Sequence, residues 1–295
     1  SIVREPGTNL PKVPGTSLSG AIRHYAALRY GKPTCAGQGG CGKATCPICY
    51  TFGSARGEGS AAGTVSIFDA RLLLFPVHSL AGPVWVTSSG TLSDFGVSGQ
   101  TVSSDKAKWS NDLTVQSRLN LGWLMLDRDG SGWLPPCLDG VPDDVRSRVV
   151  LVSDKLFAQI VNSNLEVRTS VSIDPKTGAA AQGALFTYEA LPRATFLWFD
   201  LVEDDYRGAF PVTFKKARKE ITQQNGERKE VYRDNEGDPL GTTWSRPLDV
   251  VCAGLVVAEC LGLGGMGTRG FGRVRLQHVQ APACVKEVTA THAQP

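Results

Sequence analysis

No run in the 295 residues approaches the roughly 18 consecutive apolar side chains of a spanning helix, which argues against a membrane-embedded protein. The opening "SIVREPGTNLPKVPG" has no apolar core of the kind a secretory signal carries. Together with cysteine spacings that form no regular disulfide framework, this points to a reducing cytoplasm. A formal net charge of +3 is too small to define a partner by itself, so local clusters such as "FKKARKE" at 214–220 carry more information. No internal repeat is present. No lysine follows the C-terminal glycines, so the phosphate loop of nucleotide hydrolases is absent.

What is present is a chain with 41% hydrophobic and 20% charged residues, ordinary for a globular protein and long enough for one large domain or two smaller ones. "GLGGMGTRGFGRVRL" at 262–276 packs six glycines and three arginines into fifteen positions. Gly265, Gly267 and Gly270 spell G-x-G-x-x-G, yet only 25 residues follow Gly270, too few for a complete βαβ unit. The physics that survives is a backbone free to take positive φ and approach a ligand, with Arg269, Arg273 and Arg275 supplying charge. A polyanion fits that description better than a mononucleotide.

"CAGQGGCGKATCPIC" places Cys35, Cys41, Cys46 and Cys49 within fifteen residues, with glycines between them. A C-x2-C knuckle preceded by two further thiols matches tetrahedral zinc–sulfur geometry of the structural kind, with a pair of disulfides or a metal-free remnant as the other readings. Of the remaining four, Cys252, Cys260 and Cys284 lie in or near apolar segments and read as buried small hydrophobes, with Cys137 scattered apart.

Along the chain, residues 14–31 predict a turn and an amphipathic helix capped by Ser17 or Ser19, with Ile22, Tyr25, Ala26 and Leu28 on its apolar side. Its N-terminus, preceded by Gly15 and followed by Arg23, resembles either a phosphate cradle or an ordinary capped helix. Residues 63–88 predict two or three strands, in which Asp69 ties a turn or pairs Arg71 and His78 is buried. Residues 89–145 read as a variable region with a few short elements, anchored by Trp109, Trp123 and Trp133. A strand, a helix over 154–161, a hairpin turning at "DPKTG" and an aromatic strand follow. The polar block at 215–247 reads as a solvated or partly disordered insertion, 248–265 as a segment long enough for a helix packed on a sheet, and "GRVRLQHVQ" as a final strand.

Three blocks, "IVREPGTNLPKVPGTSLSGAIRHY", "FDARLLLFPVHSLAGPVWVTS" and "GGMGTRGFGRVRL", together resemble the RAMP superfamily of CRISPR effectors. Within it they resemble the repeated backbone subunit of type III-B interference complexes. The resemblance implies an α+β fold with an RRM-like, ferredoxin-like βαββαβ core. It implies a single domain over 1–283 with a knuckle insertion at 32–52, a thumb hairpin at 168–190, a polar insertion at 204–247 and a tail at 284–295. It further implies that Ser17, Ser19, Arg23, Gly264, Gly265, Met266, Gly267, Thr268, Arg269 and Gly270 hold the sugar–phosphate backbone of a guide RNA (crRNA). Zinc would sit on Cys35, Cys41, Cys46 and Cys49.

Such subunits cleave target RNA with Mg2+ or Mn2+ and an aspartate on the loop before "I-x-R-E", here Ile2 to Glu5. The resemblance therefore places the first strand and that aspartate upstream of Ser1 and supplies no catalytic residue within the chain. Implied partners are crRNA, target RNA, further copies of the chain and other effector subunits. The four-cysteine knuckle is commoner in sibling subunits and in fused single-chain effectors. This keeps two alternatives open: an RNA-binding sibling that does not cleave, and a zinc-stabilised protein-interaction module.

Overall fold

The computed structural model describes residues 2–37, 39–56, 60–115, 117–211, 218–224, 227–233 and 244–277. In chain order the first elements are β1 (Lys12–Val13), α1 (Gly15–Arg29), α2 (Pro47–Phe52), β2 (Val65–Ile67), β3 (Ala70–Ser79) and β4 (Gly82–Ser88). Next come α3 (Ser89–Asp94), β5 (Lys106–Trp109), β6 (Arg118–Leu121), β7 (Leu124–Arg128), α4 (Asp143–Arg146), β8 (Val149–Val152) and α5 (Asp154–Ser163). The last are β9 (Glu166–Ile173), β10 (Ala180–Ala190), β11 (Phe196–Trp198), β12 (Leu201–Glu203), β13 (Arg218–Gln224), β14 (Glu227–Arg233) and α6 (Pro247–Leu261). The class is mixed α+β.

The main sheet runs β1-β3-β4-β8-β5-β7-β6, with β11 also joined to β3. β3 is its pivot: Phe75–Ser79 pair with β4, while Ala70–Leu74 pair with β1 and β11. β8 lies parallel to β4 and antiparallel to β5, and all four of its residues are buried. That explains its unbroken "VVLV", since a strand covered on both faces has no solvent side to mark with polar residues. Phe75, Val84, Val86, Val150 and Val152 pack with Phe157 and Ile160 of α5 in one cluster. Leu73, Leu74, Val149 and Leu151 pack with Leu92, Leu138 and Val145 in another.

α1 and α6 form a close pair. Leu18 and Ile22 of α1 meet Val251 and Leu255 of α6 over Ala70. A Cβ on Gly254 would sit 2.3 Å from the carbonyl oxygen of Ile22, so the glycine that weakens α6 as an isolated helix is what lets the two backbones cross closely. Leu28, expected on the apolar side, is exposed, because the buried face runs Leu18, Ile22, Ala26.

Several other expectations are corrected. The region 89–145 does hold a few short elements, three of them strands of the main sheet, with Trp109 fully buried, but Trp123, expected as an anchor, is 74% exposed. His78 is exposed because β3 turns it away from the core near the Ser79–Gly82 turn. Cys260 is exposed and Cys252 half-buried, both lying off the face of α6 that packs on α1, and Cys137 is exposed. Residues 272–277 form no strand, and 278–280, Cys284 and the tail lie outside the described residues. Within the polar block, read as a solvated or partly disordered insertion, β13 and β14 pair with each other as an antiparallel hairpin, Arg218 opposite Arg233.

Candidate nucleic-acid interface and metal centre

The glycine-rich loop starts where α6 ends at Gly262, whose carbonyl accepts a 2.6 Å hydrogen bond from the Tyr25 hydroxyl of α1. Leu263 N–H donates to the Gly272 carbonyl at 2.8 Å and closes the loop at its neck. Gly272 has φ +74, and a Cβ there would lie 2.0 Å from the Leu263 carbonyl oxygen, so only glycine fits the closure. Between these points Met266 and Gly270, both left-handed, flank a short 3-10 turn over Gly267–Arg269. Gly264, Gly265, Met266, Gly267, Thr268, Arg269 and Gly270 are all exposed. This is a loop held rigid at its base with its backbone presented to solvent.

The β9–β10 hairpin stands beside it. "DPKTG" makes the turn: Asp174 N–H donates to the Ala179 carbonyl, and its side chain accepts from Lys176 N–H. From the hairpin, Tyr188 meets Phe271 edge to face at 5.2 Å, Arg168 lies 4.7 Å over Phe271, and Phe186 sits 5.7 Å from the Arg269 guanidinium. Phe186, Tyr188, Arg168 and Phe271 were not singled out in the sequence. The signal that finds them is the period of two that puts 186 and 188 on one hairpin face.

The N-terminus of α1 departs from its expected cap. Pro14 is the N-cap residue, and neither Ser17 nor Ser19 caps with its side chain. Asp69 does that work from across the fold, accepting from Gly15 N–H at 2.7 Å while Lys12 reaches it at 2.6 Å. Its partners are therefore a lysine and a helix end, whereas Arg71 pairs with Asp94 and Asp200. Lys12 and the Gly15 N–H hold the Asp69 carboxyl below its usual range, and the same contacts with Asp69 and Glu5 raise Lys12. Ser17 is exposed and Ser19 half-buried. Arg4 of the "I-x-R-E" sequence bonds Asn162 at 3.1 Å and pairs with Glu189 at the hairpin base at 2.9 Å.

Arg23 does not face this surface. Its Nε donates to the Cys35 carbonyl at 2.8 Å and Nη1 to the Phe52 carbonyl at 3.4 Å, so the guanidinium braces the knuckle. These two bonds, which the sequence does not display, are what turn Arg23 from the expected anion cradle to the cysteine segment.

The four knuckle cysteines converge. All four sulfurs lie within 4.8 Å of one another, with Cys35–Cys46 at 3.8 Å and Cys41–Cys49 at 3.7 Å. Tetrahedral Zn–S bonds of about 2.3 Å require sulfurs about 3.8 Å apart, so the donor set fits. Cys41 N–H also points at Cys49 Sγ, 3.4 Å away. Burial pushes the Cys46 thiol up to about 12. At Cys41 burial works the same way, but the Lys43 backbone N–H and the neighbouring thiols outweigh it and bring that thiol down to about 7. Thiols this close together, three buried and one half-buried, ionise together only with a cation among them. The cluster packs with Ala26, Ala27, Val250 and Ala253, so the knuckle is part of the α1–α6 core, not a projecting loop.

A family model, the RAMP superfamily, matches residues 1–275, and the chain belongs to that superfamily. The CRISPR system Cmr endoribonuclease Cmr4 of Pyrococcus furiosus is 25% identical over 234 residues, 68% of this chain and 72% of that protein. A type III-B Cmr-beta cryo-EM structure in the apo state is similar with a TM-score of 0.59 and 15% identity, over 95% of this chain and 88% of that one. A Cmr-beta structure bound to cognate target RNA gives 0.53 and 15%, over 84% and 88%. At these identities the structural likeness concerns the fold.

Proposed function

We propose that the chain is a guide-RNA-binding backbone subunit of a type III-B-like CRISPR effector that positions complementary target RNA. Cleavage of that target would use a divalent metal, Mg2+ or Mn2+. The observation that carries the reading is the exposed Gly264–Gly270 loop, pinned at Leu263–Gly272 and bearing Arg269 beside the hairpin. Backbone and one guanidinium suit phosphates and carry no base code, as a protein serving any guide sequence requires. The Cmr4 relative is named an endoribonuclease and the Cmr-beta neighbour holds target RNA, which supports the same assignment.

In this reading Ser17 and Ser19 extend the phosphate track, the β9–β10 hairpin is the thumb, and the core of the sheet with α1 and α6 is RRM-like. Zinc on Cys35, Cys41, Cys46 and Cys49 holds the knuckle as a structural ion. Partners are crRNA, target RNA, further copies of the chain and other effector subunits, in the cytoplasm; among the described residues no helix is long and apolar enough to cross a membrane. The test is what co-purifies with the chain expressed beside a CRISPR array. A discrete RNA of guide length is expected. A protein that stays free of RNA and gains none on titration favours the interaction-module alternative.

A further inference from the structure

Arg23 carries an unanswered question. Two of its guanidinium nitrogens are spent on the carbonyls of Cys35 and Phe52, while Nη2 is buried with no hydrogen-bond partner among the described residues. A guanidinium stays charged in a protein, and a buried charged N–H without an acceptor is costly. Such an atom normally marks a group that is answered in another state of the site. Gly40 shows what Nη2 faces: a Cβ there would lie 2.6 Å from Cys49 Sγ and 2.9 Å from Arg23 Nη2. The nitrogen and the sulfur thus both border the space that Gly40, at φ +71, leaves empty, at most about 5.5 Å apart.

We propose that Arg23 is the charge-compensating positioning residue of the metal centre, its Nη2 donating to the Cys49 thiolate once zinc is bound. The inference rests on the zinc reading of the four cysteines. Four thiolates around one divalent cation leave two negative charges in the core, next to Ala26, Val250 and Ala253, which offer no compensation. A fixed guanidinium cancels one of them, and a charged N–H to sulfur contact orients the ligand as outer-shell donors do. Cys49 then accepts from two sides, from Cys41 N–H and from Arg23. The fork also explains why arginine stands in the middle of α1: the same planar group that meets the sulfur holds the two carbonyls on either side of the knuckle.

The test titrates the full chain with Zn2+ against a chromophoric chelator and with Co2+ read by absorption, for wild type, Arg23→Gln and Arg23→Lys. Wild type is expected to take one ion with the spectrum of a tetrahedral four-thiolate site; no such site in wild type sinks the zinc reading itself. Given that site, Arg23→Gln is expected to bind about 10- to 100-fold more weakly, with its sulfur-to-cobalt charge-transfer band moved to lower energy as the thiolate loses its donor. Arg23→Lys, which keeps the charge, is expected to lie between the two. A mere strut would make lysine no better than glutamine, and that ranking, or an unchanged glutamine variant, overturns the proposal. Should Arg23→Gln fail to fold by circular dichroism, the lysine variant decides: a shifted band is expected, and a band at the wild-type position overturns it.

Discussion

Replacing Gly254 with alanine is expected to destabilise the protein, while the same replacement at Gly20 is expected to stabilise it. Both glycines sit inside helices, α6 and α1, where alanine gains about 0.8–1.0 kcal/mol of intrinsic preference. At Gly20 nothing lies within 4 Å of the new methyl, so that gain stands alone. At Gly254 the methyl would meet the Ile22 carbonyl oxygen at 2.3 Å and Ile22 Cγ2 at 2.7 Å, roughly 1 Å inside ordinary contact. The oxygen belongs to the backbone, so α1 and α6 must part, an overpacking cost of about 2–3 kcal/mol that leaves a net loss of about 1–2 kcal/mol. Urea unfolding followed by circular dichroism reads both changes, with an unchanged m-value confirming that only stability moved. In thermal melts the losses correspond to about 2–4 °C per kcal/mol for chains of this size class. A Gly254→Ala protein as stable as wild type, or a destabilised Gly20→Ala, would refute the close helix crossing.

Elemental analysis is expected to find about one zinc per chain, and chelation is expected to unfold the 35–49 segment; a metal-free protein with that segment fully protected from hydrogen exchange contradicts the site. Asp69→Ala is expected to cost about 1 kcal/mol by uncapping α1, read by denaturant midpoint at neutral pH. Because the Asp69 carboxyl is depressed on folding, its contribution is complete above the unfolded carboxylate range near about pH 4 and is lost as pH falls through the folded value. The gap between Asp69→Ala and wild type should therefore close in acid, and a gap that persists below that range would assign the effect to something other than charge.

The legible parts of the fold were those written in local signals. α5 follows from its apolar-periodic run, the β9–β10 turn from "DPKTG", and the convergence of the four cysteines from their spacing. Long-range chemistry was not legible. The cap of α1 comes from Asp69, 54 positions on, so a serine in sequence reach was named instead. Arg23 is one of several basic residues until the fold points it at Cys35 and Phe52. Short strands such as β5 and β6 hold four residues each and owe their existence to the partners β8 and β7, which a single-sequence pattern does not display. The positive φ of Gly264 and Gly270 in the glycine-rich loop was legible, but the pinning of the loop by Tyr25 and Gly272 was not.

The central claim is that the Gly264–Gly270 loop and Arg269 grip ribose–phosphate without reading bases. It is tested most directly by the salt dependence of binding two guide-length RNAs of unrelated sequence, compared between wild type and Arg269→Glu. Equal affinities for the two RNAs are expected, with a weaker complex and a slope of log affinity against log salt that is shallower by at least about 0.7 in the variant. An unchanged slope and affinity, or a strong preference for one of the two sequences, would contradict it.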